Sequence, residues 1–418
     1  MNIDNSLKKL FSLHTFGIKL GLDNIKSFLN QTGIPFNKLK MFHVAGSNGK
    51  GSTSAFLASI LMEYNYKVGL YTSPHFVRFN ERIKIYENEI PDQYVAAFVD
   101  KYEKLVDQSK LTFFEVTTAM AFEYFAANNV DYAVIETGLG GRLDATNVIN
   151  PLASVITSIS LEHTNILGNS IEEITSEKAG IIKKGIPVFI GKLPLKGVEV
   201  IEQKCSELSS ELFKISDYVN EKTNSFELYT DELELDDWTT PLRGDYQKYN
   251  AALAGLVISK ILDESDSNII ERGIKDVVKN TGIQGRYEFY KNHPDIIFDS
   301  AHNPEGISNF LHEFKKDIKK YSKKVVLFGA MRDKAVEYML SMLKESFDEI
   351  HITTINYERA ASIDELKQIA GKINLNVVVT NDPLELVNNF GKEDKKSVLV
   401  VLGSMYLVGE IKSRIAHK

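Results

Sequence analysis

The sequence has one cysteine, Cys205, in 418 residues. A disulfide framework within the chain is therefore excluded and a cysteine-based zinc centre is implausible, so a reducing compartment is the natural setting. A basic excess is also missing. Lys plus Arg number 49 against 56 Asp plus Glu, a net charge of −7, which argues against a broad nucleic-acid or anionic-membrane surface. No run approaches the roughly 18 apolar residues of a membrane span. The opening MNIDNSLKKLFSLHTFGIKLGL lacks the continuous apolar core of a signal peptide, because His14, Thr15 and Lys19 interrupt it. A cytoplasmic protein with no nucleic-acid or membrane partner is expected. What remains is ordinary globular material: 43% hydrophobic and 25% charged. At about 150 residues per domain the length suggests two or three domains, enough to build a core without staples.

Short β-branched runs alternate with helical patterns. Met41–Ala45, Lys67–Tyr71, Asp131–Ile135, Ala153–Ile159 and Pro187–Ile190 read as strands. Ser52–Tyr64 reads as a helix with Phe56, Leu57, Ile60, Leu61 and Tyr64 on one face, and Glu115–Asn128 and Ser170–Ile182 as further helices. Strand–helix–strand repetition favours an α/β fold with a mainly parallel sheet. Residues 200–240, rich in Glu, Ser, Thr and Asp, read as short, partly antiparallel strands or an exposed excursion. A helix resumes at Tyr249–Leu262. The Gly- and Pro-containing stretch Thr281–Pro294 reads as a domain linker. The rhythm then restarts, with strands at Ile296–Phe298, Lys324–Phe328, Glu349–Thr353, Asn376–Val379 and Val398–Leu402, a second and smaller α/β unit.

The strongest local signal is His43-Val44-Ala45-Gly46-Ser47-Asn48-Gly49-Lys50-Gly51-Ser52. It follows a strand and opens a helix, the context a phosphate loop requires. Small residues let backbone N–H groups wrap phosphates, and the helix N-terminus adds partial positive charge. Lys50 can reach the β- and γ-phosphates, and Ser52 can ligate Mg²⁺. Gly51 stands between the lysine and the serine, so the loop is a variant of the usual pattern.

Ligands of open parallel sheets bind at the carboxyl ends of strands, and other candidates sit at such ends. They are Ser73-Pro74-His75, Glu136 leading into Gly138-Leu139-Gly140-Gly141-Arg142, Glu162-His163-Thr164, Asp299-Ser300-Ala301-His302-Asn303-Pro304, and Gly403-Ser404. A Glu, a His and a Ser hydroxyl at neighbouring ends can surround a Mg²⁺ that also holds ATP phosphates, although His is a less common ligand for it.

Taken together, GSNGKGS, YTSPHFVRFNERI, ETGLGGRLDATNVI, EHTNILGNSIEEITSEKAGIIK, GRYEF, DSAHNPEG and LGSMYLVGE resemble the folylpolyglutamate synthases, which in many bacteria are also dihydrofolate synthases and belong to the Mur ligase superfamily. The motifs run from Gly46 to Glu410, nearly the whole chain. The resemblance implies an N-terminal P-loop ATPase domain over residues 1–285 and a smaller Rossmann-like glutamate-ligase domain over 286–418, with ATP held between them and a hinge near Gly285. It also implies the reaction. A substrate carboxylate takes the γ-phosphoryl group of ATP, and L-glutamate's amine displaces phosphate from the acyl phosphate.

By the same resemblance, Gly46, Ser47, Asn48, Gly49, Lys50, Gly51 and Ser52 cradle the triphosphate, and Asn250, Arg286 and Asp299 contact ATP. Ser52, Glu136 and His163 are Mg²⁺ ligands, with two ions expected. His302 and Ser404 handle glutamate or catalysis. Lys178 carries a CO₂-derived carbamate, which requires a neutral amine. Thr112, Phe113, Phe114 and Glu115 line the pterin site, as do Leu143, Asp144 and Ala145. Thr112 and Glu115 also fit a helix capping box. The implied partners are folate or dihydropteroate, L-glutamate and ATP, and the implied state is a monomer.

Two departures stand out. Ser47 replaces a usual Thr, and Glu162 replaces a usual Asp one methylene shorter. Two rivals remain. A peptidoglycan-precursor ligase would carry a further domain before the loop, whereas 42 residues precede His43. A non-catalytic nucleotide switch leaves Lys178, His302 and Ser404 unexplained. Anionic substrates of an acidic protein need local cations, and Lys50, Arg286, Arg82 and Arg142 are the candidates.

Overall fold

The computed structural model describes residues 3–13, 21–221, 226–230, 234–236, 238–392 and 394–416. The chain divides into two compact units, one of residues 1–241 and 247–282, the other of 242–246 and 283–418.

The first unit is built on eight strands: β1 (Met41–Ala45), β2 (Val68–Tyr71), β3 (Ile83–Ile85), β4 (Asn88–Glu89), β5 (Tyr132–Glu136), β6 (Ala153–Ile156), β7 (Val188–Ile190) and β8 (Leu212–Lys214). Their order is β4-β3-β2-β5-β1-β6-β7-β8. The six from β2 to β8 are parallel, and β3 and β4 add an antiparallel edge. β1 lies between β5 and β6, so its carboxyl end opens where the connections diverge to the two sides, the position at which such sheets bind ligands. All five residues of β1, of β5 and all four of β6 are buried, as strands covered on both faces must be.

The helix after β1, Lys50–Glu63, departs from the amphipathic expectation. It is buried from Ser52 through Leu61 on every side, because Ser, Thr and Ala fill the positions between its large apolar residues. One neighbour is the helix Ser267–Lys275, which approaches through Gly273. A Cβ there would lie 2.5 Å from the Ile60 Cα. Ser59 Oγ donates to the Gly273 carbonyl at 2.6 Å across the same contact.

Residues 200–240 are only partly as expected. The helix Leu195–Leu208 occupies the first part, and β8 joins the main sheet in parallel. The antiparallel strands are β9 (Val219–Glu221), β10 (Phe226–Tyr229) and β11 (Glu234–Leu235), a small separate sheet. Residues 222–225, 231–233 and 237 of this stretch lie outside the described residues. The Ser170–Ile182 helix ends earlier than its pattern, at Lys178, and tightens into a 3₁₀ turn over Ala179–Ile181.

The second unit holds β12 (Glu288–Lys291), β13 (Asp295–Phe298), β14 (Lys324–Phe328), β15 (Glu349–Ile352), β16 (Val378–Val379) and β17 (Val398–Leu402), in the order β12-β13-β17-β14-β15-β16. Five strands are parallel and β12 is an antiparallel edge. The stretch expected to be a linker is thus partly sheet. Gly285 and Pro294 bracket a hairpin strand whose Tyr287 and Phe289 pack into the unit's core. Among the described residues no helix is long and apolar enough to cross a membrane.

The close approach at Gly273 gives a direct test. Gly273→Ala adds a methyl group against helix backbone that cannot rotate away, and overpacking of this kind costs about 1–3 kcal/mol. A lowered urea midpoint is the expected result, and an unchanged midpoint would show that the two helices can separate freely.

Candidate active site

The loop between β1 and its helix is stapled to the segment that follows β6. Ser47 N donates to the Ser158 carbonyl at 2.8 Å. Asn48 N donates to Ser158 Oγ at 2.9 Å, and the Asn48 carbonyl accepts from Thr157 Oγ1 at 2.6 Å and Ser158 Oγ at 3.0 Å. Ser160 N donates to Ser47 Oγ at 2.9 Å. Side-chain hydroxyls thus do for the loop what a neighbouring strand would do for a ladder.

Two glycines make this shape possible. Gly46 has φ 150° and a Cβ on it would sit 2.0 Å from Thr157 Oγ1. Gly49 has φ 85° and its Cβ would sit 2.6 Å from Asn250 Oδ1. The second contact places buried Asn250 against the loop, where its Nδ2 donates to Gln247 Oε1 at 3.1 Å.

Lys50 folds back over its own loop, with Nζ donating to the Gly46 carbonyl at 2.8 Å and the Ser47 carbonyl at 3.1 Å. Lys178 reaches the same Gly46 oxygen at 2.9 Å and pairs with Glu162 Oε1 at 2.8 Å. Lys178 is 1% exposed, so sequence physics alone, which makes it a surface lysine, misplaces it. Burial pushes its pKa down. Glu162 works in the opposite direction and the Lys50 charge reinforces the lowering. For Glu162, burial favours the neutral acid, but the charges of Lys178 and Lys50 and the hydrogen bond from Lys178 outweigh it and hold the carboxyl well below its ordinary range.

Glu136 ends β5, in register with Val44 of β1, and its Oε2 accepts from Ser73 N at 3.1 Å. Ser52 is buried in the first turn of the loop helix. His163 follows Glu162 in a left-handed conformation, φ 46°, before the short helix Thr164–Leu167. Among the described residues no three His, Cys, Asp or Glu side chains form a ready-made metal cage.

The expected pterin-site residues also meet. Thr112 caps the helix Phe113–Ala127 as a capping box: its hydroxyl accepts from Glu115 N, and Glu115 Oε2 accepts from Thr112 N at 2.8 Å. Phe114 lies against Gly138, where a Cβ would be 2.5 Å from its Cζ. Phe113 stacks on Phe11 with centroids 5.6 Å apart and carries the Arg82 guanidinium over its ring at 5.1 Å. Arg82 Nε donates to His75 Nδ1 at 2.8 Å. Leu143, Asp144 and Ala145 continue the same loop. Both Asp144 oxygens are used within it: Oδ2 accepts from Gly138 N and Leu139 N, and Oδ1 from Thr146. Arg142 is engaged by Glu177 Oε1 at 2.8 Å.

In the second unit, Asp299 is 4% exposed and accepts from Tyr287 N at 2.7 Å and Ala301 N at 2.8 Å. Burial raises its pKa against those two bonds and the Arg286 charge. Arg286 donates to Ser300 Oγ and to the Gly285 carbonyl. His302 Nδ1 lies 2.9 Å from the Ser300 carbonyl. Gly403 N donates to the Ala301 carbonyl at 2.9 Å, which brings the Ser404 turn beside the His302 turn. Ser404 is buried and its Oγ accepts from Tyr406 N at 3.2 Å. Sequence reasoning missed the Thr157–Ser160 clamp and His43. For the first, the only sequence signal is a run of small hydroxyl residues after a strand.

The comparisons with known proteins agree with this geometry. Residues 44–258 match the Mur ligase middle domain and residues 285–405 the Mur ligase glutamate ligase domain. The fold and the phosphate loop are those of a Mur ligase. The dihydrofolate synthase/folylpolyglutamate synthase of Bacillus subtilis is 36% identical over 415 residues, 96% of each chain. Escherichia coli FolC in complex with DHPP and ADP has a TM-score of 0.88 at 29% identity, covering 100% of this chain and 98% of that one. A bifunctional folylpolyglutamate synthase/dihydrofolate synthase with Mn, AMPPNP and L-glutamate bound has a TM-score of 0.86 at 28% identity, with the same coverage. The chain belongs to the folylpolyglutamate synthase/dihydrofolate synthase family and is an amide-forming carbon–nitrogen ligase.

The Glu162–Lys178 pair predicts a pH signature. Glu162→Gln leaves a buried ammonium without its counter-charge, which costs up to about 3–5 kcal/mol at neutral pH, less to the extent that Lys178 sheds its proton. Because the Glu162 carboxyl is depressed from 4.5, its contribution is complete above that pH and drains away as pH falls through the folded value. Urea titrations from neutral to acid pH should show the gap between wild type and variant narrowing, and equal midpoints at neutral pH would contradict the pairing.

Proposed function

We propose that this chain uses ATP to join L-glutamate to a reduced folate or folyl-polyglutamate, and also to dihydropteroate, through an acyl phosphate. The observation that carries the reading is the phosphate loop at the carboxyl end of central β1. Two lysines, Lys50 and Lys178, converge there on the Gly46 carbonyl. The ligands bound in the related structures, ADP in one and Mn, AMPPNP and L-glutamate in another, support it.

In this reading the N–H groups of Ser47 to Ser52 face the triphosphate, and Lys50 turns from the loop carbonyls to its β- and γ-oxygens. Asn250, Arg286 and Asp299 contact the nucleotide. The donor set fits Mg²⁺ bound together with phosphates. It offers the hard oxygens of Glu136 and the Ser52 hydroxyl plus His163, too few for a cage without the nucleotide, as is usual for this ion. When bound, the metal withdraws charge from the phosphoryl oxygens. Two such ions are proposed.

Lys178 is read as the carbamate site. The Lys178 ammonium first gives one proton to water; the neutral Nζ then attacks CO₂, an N–C bond forms as one C=O π bond opens onto oxygen, and the nitrogen gives a second proton to water, so that a cation becomes an anion. Burial and Lys50 favour the neutral amine this needs, whereas the pair with Glu162 must open. Residues 112–115 and 143–145 hold the pterin, Phe113 and Phe114 by their rings. The carboxylate oxygen of the substrate displaces ADP from the γ-phosphorus. Glutamate nitrogen then displaces phosphate from the carbonyl carbon and loses a proton. His302 and Ser404 orient the incoming glutamate. Residues 1–285 serve nucleotide and folate, and 286–418 serve glutamate and add Arg286 and Asp299 to the nucleotide contacts. The protein is read as a cytoplasmic monomer.

Two measurements test this. ADP release should require both L-glutamate and a folate, and release dependent on neither would overturn the ligase reading in favour of a nucleotide switch. Lys178→Ala should lose roughly two to three powers of ten in kcat, the scale for losing one electrostatic support, and recover part of it with acetate. Full activity without acetate would exclude the carbamate.

A further inference from the structure

His43 is fully buried in the middle of β1, three residues before Gly46. Its Nε2 lies 2.8 Å from Thr146 Oγ1. The Thr146 hydroxyl donates in turn to Asp144 Oδ1 at 2.5 Å. A hydroxyl has one proton, and here the carboxylate holds it, so towards His43 the oxygen can only accept. Nε2 must therefore carry the imidazole proton and Nδ1 must be bare. Among the described residues, the buried Nδ1 has no hydrogen-bond partner. The opposite tautomer would bury an unpartnered N–H and set two lone pairs against each other. The charged form is disfavoured as well: burial, then the Lys183 charge, pull the imidazole pKa down to about 3.

Asp144 gathers further donors. Its Oδ2 accepts from Gly138 N and Leu139 N at 2.9 Å each, and Oδ1 also accepts from Thr146 N at 3.0 Å. Burial of the carboxylate pushes its pKa up and these hydrogen bonds oppose that, so its charge depends on every donor it has. Gly138 is the residue whose missing side chain admits the Phe114 ring. Hydrogen bonds thus converge on Asp144 from two sides, from His43 of β1 through Thr146 and from the N–H groups of the turn that starts two residues after Glu136.

We infer that His43 and Thr146 are positioning residues for the folate site. They lock Asp144, and through it the Gly138–Gly141 turn, in the shape that receives the pterin. The inference rests on the reading of residues 112–115 and 143–145 as that site. It also means that the strand leading into the phosphate loop carries a second duty, on the flank of the sheet facing the folate residues.

The experiment joins three readouts on wild type, Thr146→Val, Thr146→Ser, His43→Leu and His43→Gln. These are ¹⁵N NMR of the His43 ring at neutral pH, amide hydrogen exchange at Gly138 and Leu139 without ligand, and equilibrium binding of dihydropteroate and of ATP. Wild type should show the Nε2–H tautomer. In Thr146→Val and His43→Leu, exchange at the two amides should quicken and dihydropteroate binding weaken by about tenfold or more, the scale of one charge-assisted hydrogen bond. ATP binding should stay within about twofold, since the loop clamp uses other groups. Serine keeps the hydroxyl and glutamine keeps a donor at the Nε2 position, so both should restore most of the loss. An Nδ1–H or doubly protonated ring in wild type would overturn the inference. So would exchange that does not separate valine from serine, or equal loss of both ligands. If wild type ignores dihydropteroate while tautomer and exchange behave as stated, the hydrogen-bond network stands and the folate assignment fails.

Discussion

One backbone oxygen, the carbonyl of Gly46, accepts hydrogen bonds from two lysines, Lys50 and Lys178. Two ammonium groups converging on one buried carbonyl are sustainable only with an anion nearby, and in this chain Glu162 supplies it. From that constraint much of the first unit follows. The loop must approach the segment after β6 closely enough for hydroxyls to hold it, which excludes a side chain at position 46, and Asn250 excludes one at position 49. The helix Ile171–Lys178 must end where its last residue reaches inward. The turn at Gly138–Arg142 must pack against that helix end, and Arg142 N indeed donates to the Glu177 carbonyl at 2.7 Å. With Lys178 paired to Glu162, Lys50 is the cation left beside the loop, where an overall negative protein needs one to hold anions.

Three acidic residues play a common part that their charge alone does not suggest. Glu162 neutralises, Asp144 gathers amides of a glycine turn, and Asp299 gathers the amides of Tyr287 and Ala301. Asp299 directly follows β13, Glu162 and Asp144 lie further along the connections that leave β6 and β5, and each is nearly sealed from water. Carboxylates in such places act on a ligand partly through the backbone they organise, since a buried turn without acceptors for its N–H groups does not keep its shape.

Much of this was legible in the sequence. Strands β1, β14 and β17 fall on the residues their β-branched runs indicate, because a doubly covered strand is almost wholly apolar and sharply bounded. Thr112 and Glu115 announced their cap, a local device that needs no tertiary context. What could not be read depended on distant partners. The all-round burial of Lys50–Glu63 hides behind Ser and Thr, which count as polar in any periodicity. The strand Glu288–Lys291 lies between a glycine and a proline that signal a break, and only pairing with β13 makes it sheet. Lys178 looked solvated because the carboxylate that meets it lies sixteen residues earlier, on another element.

The helix that opens at Lys50 has buried side chains from Ser52 to Leu61 and therefore no outer face along most of its length. Its hydroxyls at Thr53 and Ser54 are sealed with the rest. A surface that does not exist cannot be read by a modifying enzyme or gripped by a binding protein. Whatever touches this part of the chain from outside must do so through the turns at the sheet's carboxyl edge, where the proposed substrates also bind. Control of the enzyme from outside and competition with its substrates thus become one problem of access.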